Sequence, residues 1–359
     1  MQIFELAQKH GVNLNIRVKW LIRRSLHLVN DKFRRSREVN QSFLNILRSE
    51  KGMAETLRLM HHLEFLNEYI PEFEHIYCKV QHDLYHIYTV DIHTLFAVEQ
   101  MEKILNGELK KELPLPCAIA RQIGKRELLI LSILFHDIGK GEGGGHADKG
   151  ADMIPTIARR MGLSKEDSER LEFLVRQHLV FAHISQRRDL ADERMIMQFA
   201  RQMVTSENLK MLFLLTIADV RAVGSDVWTT WKASLFNELY EKAFNILERG
   251  DFRLEAGTER VRSVRRKVRE MVEYDIPATV AREELRALPT RYLLSAPLQT
   301  IADHLRLLVQ VNDNDLVMQV QHEPDNGFSS FTICTYDTYG LFSKITGVMA
   351  ANGINILGA

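Results

Sequence analysis

The chemistry in this sequence is concentrated in a few polar residues set inside apolar runs. Between about Thr89 and Leu105, Val90, Ala97, Met101 and Leu105 recur at helical spacing, and His93 falls on the same face. An imidazole is thus aimed into a core. The apolar run LLILSILF ends in His136, Asp137, Ile138, Gly139 and Lys140, so an imidazole and a carboxylate emerge together where a buried helix meets a glycine loop. In MLFLLTIADVRAV, Asp219 shares a face with Leu212 and Leu215. Taken singly, each reads as a core polar group satisfied by hydrogen bonds. Taken together they favour a divalent cation, because burying an unpaired ion costs several kcal/mol and shared coordination offsets that cost for all of them at once. His146, in the loop GEGGGHADKGA, and His178 and His183, in LEFLVRQHLVFAH, could supply a second ion. The run Gly143 to Gly145 suits His146 folding back over the site, with a plain flexible loop an equal alternative. Imidazole mixed with carboxylate suits Mn, Mg, Fe or Zn and leaves positions open for water. One or two such ions point to phosphoester hydrolysis. The glycine loop is not a phosphate loop, since the order Gly, four residues, Gly, Lys, Ser/Thr is missing.

The elements that must position these groups are expected to be mainly helical. A length of 359 residues suggests two or three domains, and 19 glycines with 8 prolines are too few for a turn-dense all-β chain. Residues 1–75 read as a lead-in of short amphipathic helices stopped by Pro71. Residues 76–250 hold longer helices, several apolar nearly all round, interrupted by loops at Gly107 to Pro116 and Gly139 to Gly145. Residues 251–312 read as a helical connector, opening on the arginine-rich RVRSVRRKVREMVEYD and broken by Pro277, Pro289 and Pro297. From 313 to 359 the pattern becomes strand, strand, helix, strand: LVMQVQ, FTICTY, LFSKITGVMAA and INILGA.

Charge and targeting exclude other classes. Lysine plus arginine and aspartate plus glutamate number 47 each, so the whole chain is no general polyanion binder. Arg17 to Arg37 carries eight basic residues against one aspartate and reads as a solvated face or a seat for another domain rather than a nucleic-acid footprint. The longest apolar runs, of eight residues, fall far short of the ~20 a membrane helix needs. The opening MQIFELAQKH does not read as a secretion signal, so a cytoplasmic setting is expected. Cys78, Cys117 and Cys334 are expected to be reduced core thiols.

The succession of His, His-Asp and a distant Asp on helices is similar to that of the HD-superfamily metal-dependent phosphohydrolases. The strings DLYHIYTVDIHTLFAVEQ, LFHDIGKGEGGGHADKGA, LVRQHLVFAHISQRRDLADE and ADVRAVGSDVWTTWKASLFNELY resemble, in order and spacing, the central region of the bifunctional PII uridylyltransferase/uridylyl-removing enzymes. The end, YDTYGLFSKITGVMAANGINILGA, resembles the first half of that family's first ACT domain. The resemblance implies an HD-type helical hydrolase core with helical flanks and a truncated C-terminal α+β, ACT-like piece. By position it implies His93, His136, Asp137 and Asp219 as primary metal ligands, with His146 and His178 holding a second ion. It places Lys140 to meet a phosphate oxygen, with His183 and Arg187 as further candidate catalytic residues. Arg187 and Arg188 could grip a uridylyl phosphate or the acidic surface of a partner, or simply be helix-end charges. The implied reaction is hydrolysis of the UMP-tyrosine phosphodiester on the signalling protein PII.

The chain also departs from that family. No glycine-serine turn with a paired aspartate strand precedes residue 75, and the single Asp-x-Asp, Asp313 to Asp315, lies at the far end. UMP transfer from UTP is therefore expected to be absent from this polypeptide, with self-association or a separate chain supplying the missing domains. One β-α-β piece is too short to bind glutamine between paired ACT domains, so the chain reads as a fragment whose strand edge invites pairing. Two rivals remain: an HD phosphohydrolase of free or cyclic nucleotides, and a non-catalytic regulatory remnant that binds PII.

Overall fold

The computed structural model describes residues 1–80, 88–142, 144–224, 227–249, 257–289, 292–293, 296–311, 316–323 and 328–358. Part of the string beginning DLYH, Gly143, the pair Asp313 and Asp315, and Ala359 lie outside the described residues. The architecture is mainly helical, with a small antiparallel hairpin near the C-terminus. No helix of the described residues is long and apolar enough to cross a membrane.

At the centre runs the helix Arg126–Phe135, in which every residue from Leu128 to Phe135 is buried. Each such aliphatic or aromatic side chain contributes roughly 1.5–3 kcal/mol by leaving water, which fixes this segment as the post around which the others pack. Val90–Leu105, Lys165–Arg187 and Ser206–Val223 lie against it, and Ser206–Val223 also lies against each of the other two. Their ends are set locally. Thr205 Oγ1 accepts from Asn208 N at 3.1 Å to start Ser206–Val223. Gly162, at φ 72°, closes His146–Met161 in the left-handed region, and two residues later Ser164 Oγ accepts from Asp167 N at 3.1 Å to open Lys165–Arg187. That tight reversal makes His146–Met161 and Lys165–Arg187 a helical hairpin, so His146 and His178 return to the same end.

The lead-in is joined to this core rather than hung from it. Phe4, Phe43, Ile46, Leu57, Tyr69 and Phe73 belong to the same continuous apolar cluster as Leu129 and Leu212. Polar ties reinforce the junction. Glu102 accepts from the backbone N–H groups of Met53 and Ala54 at 2.8 and 3.0 Å, capping the Met53–His62 helix from another helix. Tyr69 donates to Asn40 Oδ1 at 2.6 Å, and Asn40 Nδ2 donates to the Arg160 carbonyl at 2.8 Å.

The stretch expected as a connector has a core of its own. Gly257–Met271, Ala278–Ala287 and Leu298–Val311 bury Val268, Val272, Leu285, Ile301 and Leu305 in a second cluster. Beyond it β1 (Leu316–Glu323) pairs antiparallel with β2 (Phe328–Thr335), from Leu316 opposite Thr335 to Glu323 opposite Phe328. The helix Leu341–Ala351 follows with no buried residue.

Three expectations are corrected. The third strand is not formed, since 354–358 are irregular and the sheet holds two strands among the described residues; apolar alternation alone does not make a strand without a ladder to join. The loop from Gly107 gives way to a helix, Pro114–Ala120, because proline is well suited to a helix's first turn. Cys117 is buried as expected and Cys334 half-buried, but Cys78 is exposed.

Candidate metal centre

His93 enters the core from the first turn of Val90–Leu105 and is buried. Its Nε2 lies 2.9 Å from Asp219 Oδ1, which projects from Ser206–Val223. His136 caps the central helix, and Asp137 follows at the turn. His136 Nδ1 donates to the Ile133 carbonyl at 2.7 Å, and His178 Nδ1 donates to the Val175 carbonyl at 2.7 Å. A carbonyl can only accept, so in each neutral ring the proton sits on Nδ1 and the Nε2 lone pair faces the site. Metal-binding imidazoles are commonly fixed in this way.

Two donor groups result. His93, His136 and Asp219 form one; Asp137, His146 and His178 form the other, and in each the ligand atoms lie within 4.8 Å of one another. Asp137 faces both. Its Oδ2 lies 3.1 Å from His136 Nε2 and 4.0 Å from His93 Nε2, while its Oδ1 lies 3.5 Å from His146 Nε2 and 3.8 Å from His178 Nε2. Lys140 Nζ reaches Asp137 Oδ2 at 2.7 Å.

The electrostatics suit a cation. Burial alone would lower His136, but Asp137 and Asp219 outweigh it and raise the imidazole to about 10. Burial opposes ionisation of Asp137 and Asp219, yet the His136 imidazole beside both holds each well below the usual carboxylate range. Burial, then His136, pushes His178 down to about 4, and burial lowers His146, so both are neutral near pH 7 and have lone pairs to offer. His136 Nε2 is buried yet has no hydrogen-bond partner, close as the two carboxylates are. A buried nitrogen without a hydrogen-bond partner, set between two carboxylates, fits a centre in which a divalent ion with His and Asp ligands would take the place of the imidazolium's proton.

The backbone under the site is packed without slack. A Cβ on Gly139 would stand 2.2 Å from the His146 carbonyl oxygen and 2.5 Å from Gly150 N. One on Gly141 would meet His75 Cβ at 2.5 Å. Lys140 is therefore held in a short turn, Ile138–Glu142, between two glycines pressed against their neighbours, and Lys79 Nζ donates to the Gly141 carbonyl at 3.4 Å. Sequence reading missed the roles of Gly141, Gly150 and Lys79; only the glycine spacing hinted at them. It also missed the buried Asp91, whose Oδ2 lies 2.9 Å from His61 Nε2 and accepts from Cys78 N at 3.0 Å, anchoring the start of the His93 helix.

The structure brings together His93, His136, Asp137, Lys140, His146, His178 and Asp219, and keeps His183 and Arg187 apart from them. These two are exposed on the other side of Lys165–Arg187, lining a groove of about 810 Å³ with Leu179, Arg188, Met195 and Gln198. The cause is helical phase. Five residues from His178 turn the side chain by about 140°.

All the clustered donors fall within residues 90–220, and that stretch matches the family model described as HD domain. The fold and the donor set thus define an HD-domain protein. Residues 1–69 match the model described as Uridylyltransferase GlnD third domain. Over all of this chain, proteins named bifunctional uridylyltransferase/uridylyl-removing enzyme are 34% identical in Azospirillum brasilense and 33% identical in Rhodospirillum rubrum. One of the same name in Bordetella avium is 34% identical over 95% of the chain. The chain spans 38 to 40% of the length of these relatives. It belongs to the family of the bifunctional uridylyltransferase/uridylyl-removing enzymes.

Proposed function

We propose that this chain is a metal-dependent phosphodiesterase that removes UMP from a tyrosine of the signalling protein PII. The observation that carries the reading is Asp137, whose two oxygens each face one imidazole group while Lys140 stands beside them. His93, His136, Asp137 and Asp219 would hold one divalent ion and Asp137, His146 and His178 a second; Mn, Mg, Fe and Zn all suit this donor set. When bound, such ions supply Lewis-acid polarisation of a phosphoryl oxygen and a more acidic water.

The chain's own groups do the rest. The Nδ1 bonds of His136 and His178 hold the two rings with their Nε2 atoms inward, so no reorientation is required as substrate arrives. Lys140 places a positive charge at the rim, where it can neutralise a non-bridging phosphate oxygen. The leaving phenol has a pKa of about 10, so its departure needs only modest electrostatic help. The buried floor excludes bulk water and strengthens each of these interactions. His183 and Arg187, set apart in their groove, would act by contacting the protein substrate rather than the phosphorus. Acting on PII, the chain would work in the cytoplasm.

UMP-modified PII is incubated with the metal-replete chain beside a panel of free and cyclic nucleotides, and UMP release is followed. Release from PII alone supports the reading, and turnover of free nucleotides instead favours the nucleotide phosphohydrolase. His136→Ala and Asp137→Ala should abolish release while leaving the helical circular dichroism intact; unchanged turnover in either variant refutes the assignment.

A further inference from the structure

The first 28 residues contain a face that no other described residue covers. The helix Ile16–Arg24 has no buried residue, although five of its nine side chains, Ile16, Val18, Trp20, Leu21 and Ile22, are apolar or aromatic. Ile16 is 79% exposed, Trp20 54% and Leu21 55%, and together with Arg17 they line a shallow recess of about 370 Å³. Leu6 on Gln2–His10, Val12 and Leu28 are exposed as well. Singly exposed apolar residues are ordinary, but a concentration of this kind with a rim of charge marks an interaction surface. The rim is basic. Arg24 stacks on the Trp20 ring at 4.6 Å, and among the described residues Arg17, Lys19, Lys32 and Arg35 have no carboxylate partner. The same module is packed into the core through Phe4, Phe43 and Tyr69, with Ile22 and Leu26 partly buried against it.

The comparisons indicate what covers it. Residues 1–69 match a uridylyltransferase third domain, and relatives extend well beyond the 38% of their length that this chain spans. We infer that the face centred on Trp20 and Leu21 seats the transferase portion that precedes the third domain in those relatives, through an apolar centre ringed by acidic side chains. The same surface in this chain is then a docking site for that portion, whether joined or supplied separately. Aromatic and arginine residues together, as Trp20 and Arg24 are here, are the types that concentrate binding energy at interfaces. The inference is independent of which phosphodiester the metal centre cleaves.

The test compares two intact proteins, this chain and the Azospirillum brasilense relative, by hydrogen exchange and photo-crosslinking. Amides of Ile16–Arg24 should exchange at least about tenfold faster in this chain than the aligned amides in the relative, since burial under a partner suppresses local opening. A photoreactive residue at the relative's position aligned with Trp20 should crosslink to a peptide preceding its third domain. In this chain Trp20→Glu and Leu21→Glu should leave the melting temperature and UMP release unchanged, whereas the aligned pair in the relative should raise exchange over the helix. Equal exchange in the two proteins overturns the inference. So does a crosslink to a second copy or to any later segment, or protection of this chain's helix that appears only with its own concentration or with anionic vesicles.

Discussion

The Nε2 atoms of His146 and His178 face each other at 3.3 Å, although His178 already donates from Nδ1 to a carbonyl. Two imidazoles from opposite arms of a helical hairpin meet there with at least one lone pair between them. A bound cation would satisfy that arrangement better than a shared proton. His178→Ala should therefore weaken binding of one metal equivalent at least about a hundredfold while the other equivalent is retained. Elemental analysis after dialysis, with calorimetric titration of Mn or Zn, checks the stoichiometry. A full complement in the variant contradicts the pairing.

Lys140 tests charge at the rim separately from metal binding. Lys140→Met leaves every imidazole and carboxylate in place but removes the ammonium 2.7 Å from Asp137 Oδ2. Turnover should fall about 10²- to 10³-fold, the usual cost of deleting one preorganised stabilising group. Metal content should be unchanged. An equal loss of metal would mean that Lys140 is structural.

Removing the metal should also be felt by the fold. Buried Asp137 and the His136 beside it depend on opposite charge nearby, and a ligand that binds only the folded state adds stability by mass action. Chelation followed by dialysis should lower the melting temperature, and excess Mn should restore it. A melting curve insensitive to chelator would count against resident ions.

The pH dependence of stability should carry the signature of Glu72. Burial alone would raise its carboxyl, but Arg160, bonded to both oxygens at 2.8 and 2.5 Å, holds it below the usual range. A carboxyl depressed in the folded state adds stability above its unfolded pKa of about 4.3, and that share fades as pH falls through the folded value. Glu72→Gln should cost about 1–3 kcal/mol at pH 7, with the gap from the parent chain narrowing toward pH 3. Urea titrations across that window read the difference.

Gly139→Ala should be among the most damaging single changes. Its new methyl would strike backbone at 2.2 and 2.5 Å, where no side chain can swing away. The loss should be at least about 3 kcal/mol, or a shifted Lys140 turn with reduced turnover. Gly144→Ala, where a Cβ meets nothing within 4 Å, is the control in the same loop.

Most of the core was legible in the sequence because its helices are long and periodic. His93 could be placed by face alone, and LLILSILF announced a buried helix ending in His136 and Asp137. The meeting of His146 with His178 could only be guessed, since it depends on the reversal at Gly162 and Ser164 bringing distant turns together. His183 shares a string with His178 but not its face, and a motif read as a line of letters does not carry that phase. The second apolar cluster behind Val268 and Ile301 was obscured by the arginines around it. The ending INILGA has a strand's alternation, but pairing is a property of neighbours, and LVMQVQ and FTICTY pair with each other.

Because one carboxylate, Asp137, stands between both imidazole groups, two ions held there would not bind independently. A cation held by one oxygen would draw charge from the other and repel a neighbouring cation, so the second equivalent should bind more weakly than the first. The more weakly held ion would be the first to leave as metal becomes scarce, so a centre that needs both would fade gradually with the supply of free divalent ions rather than switch.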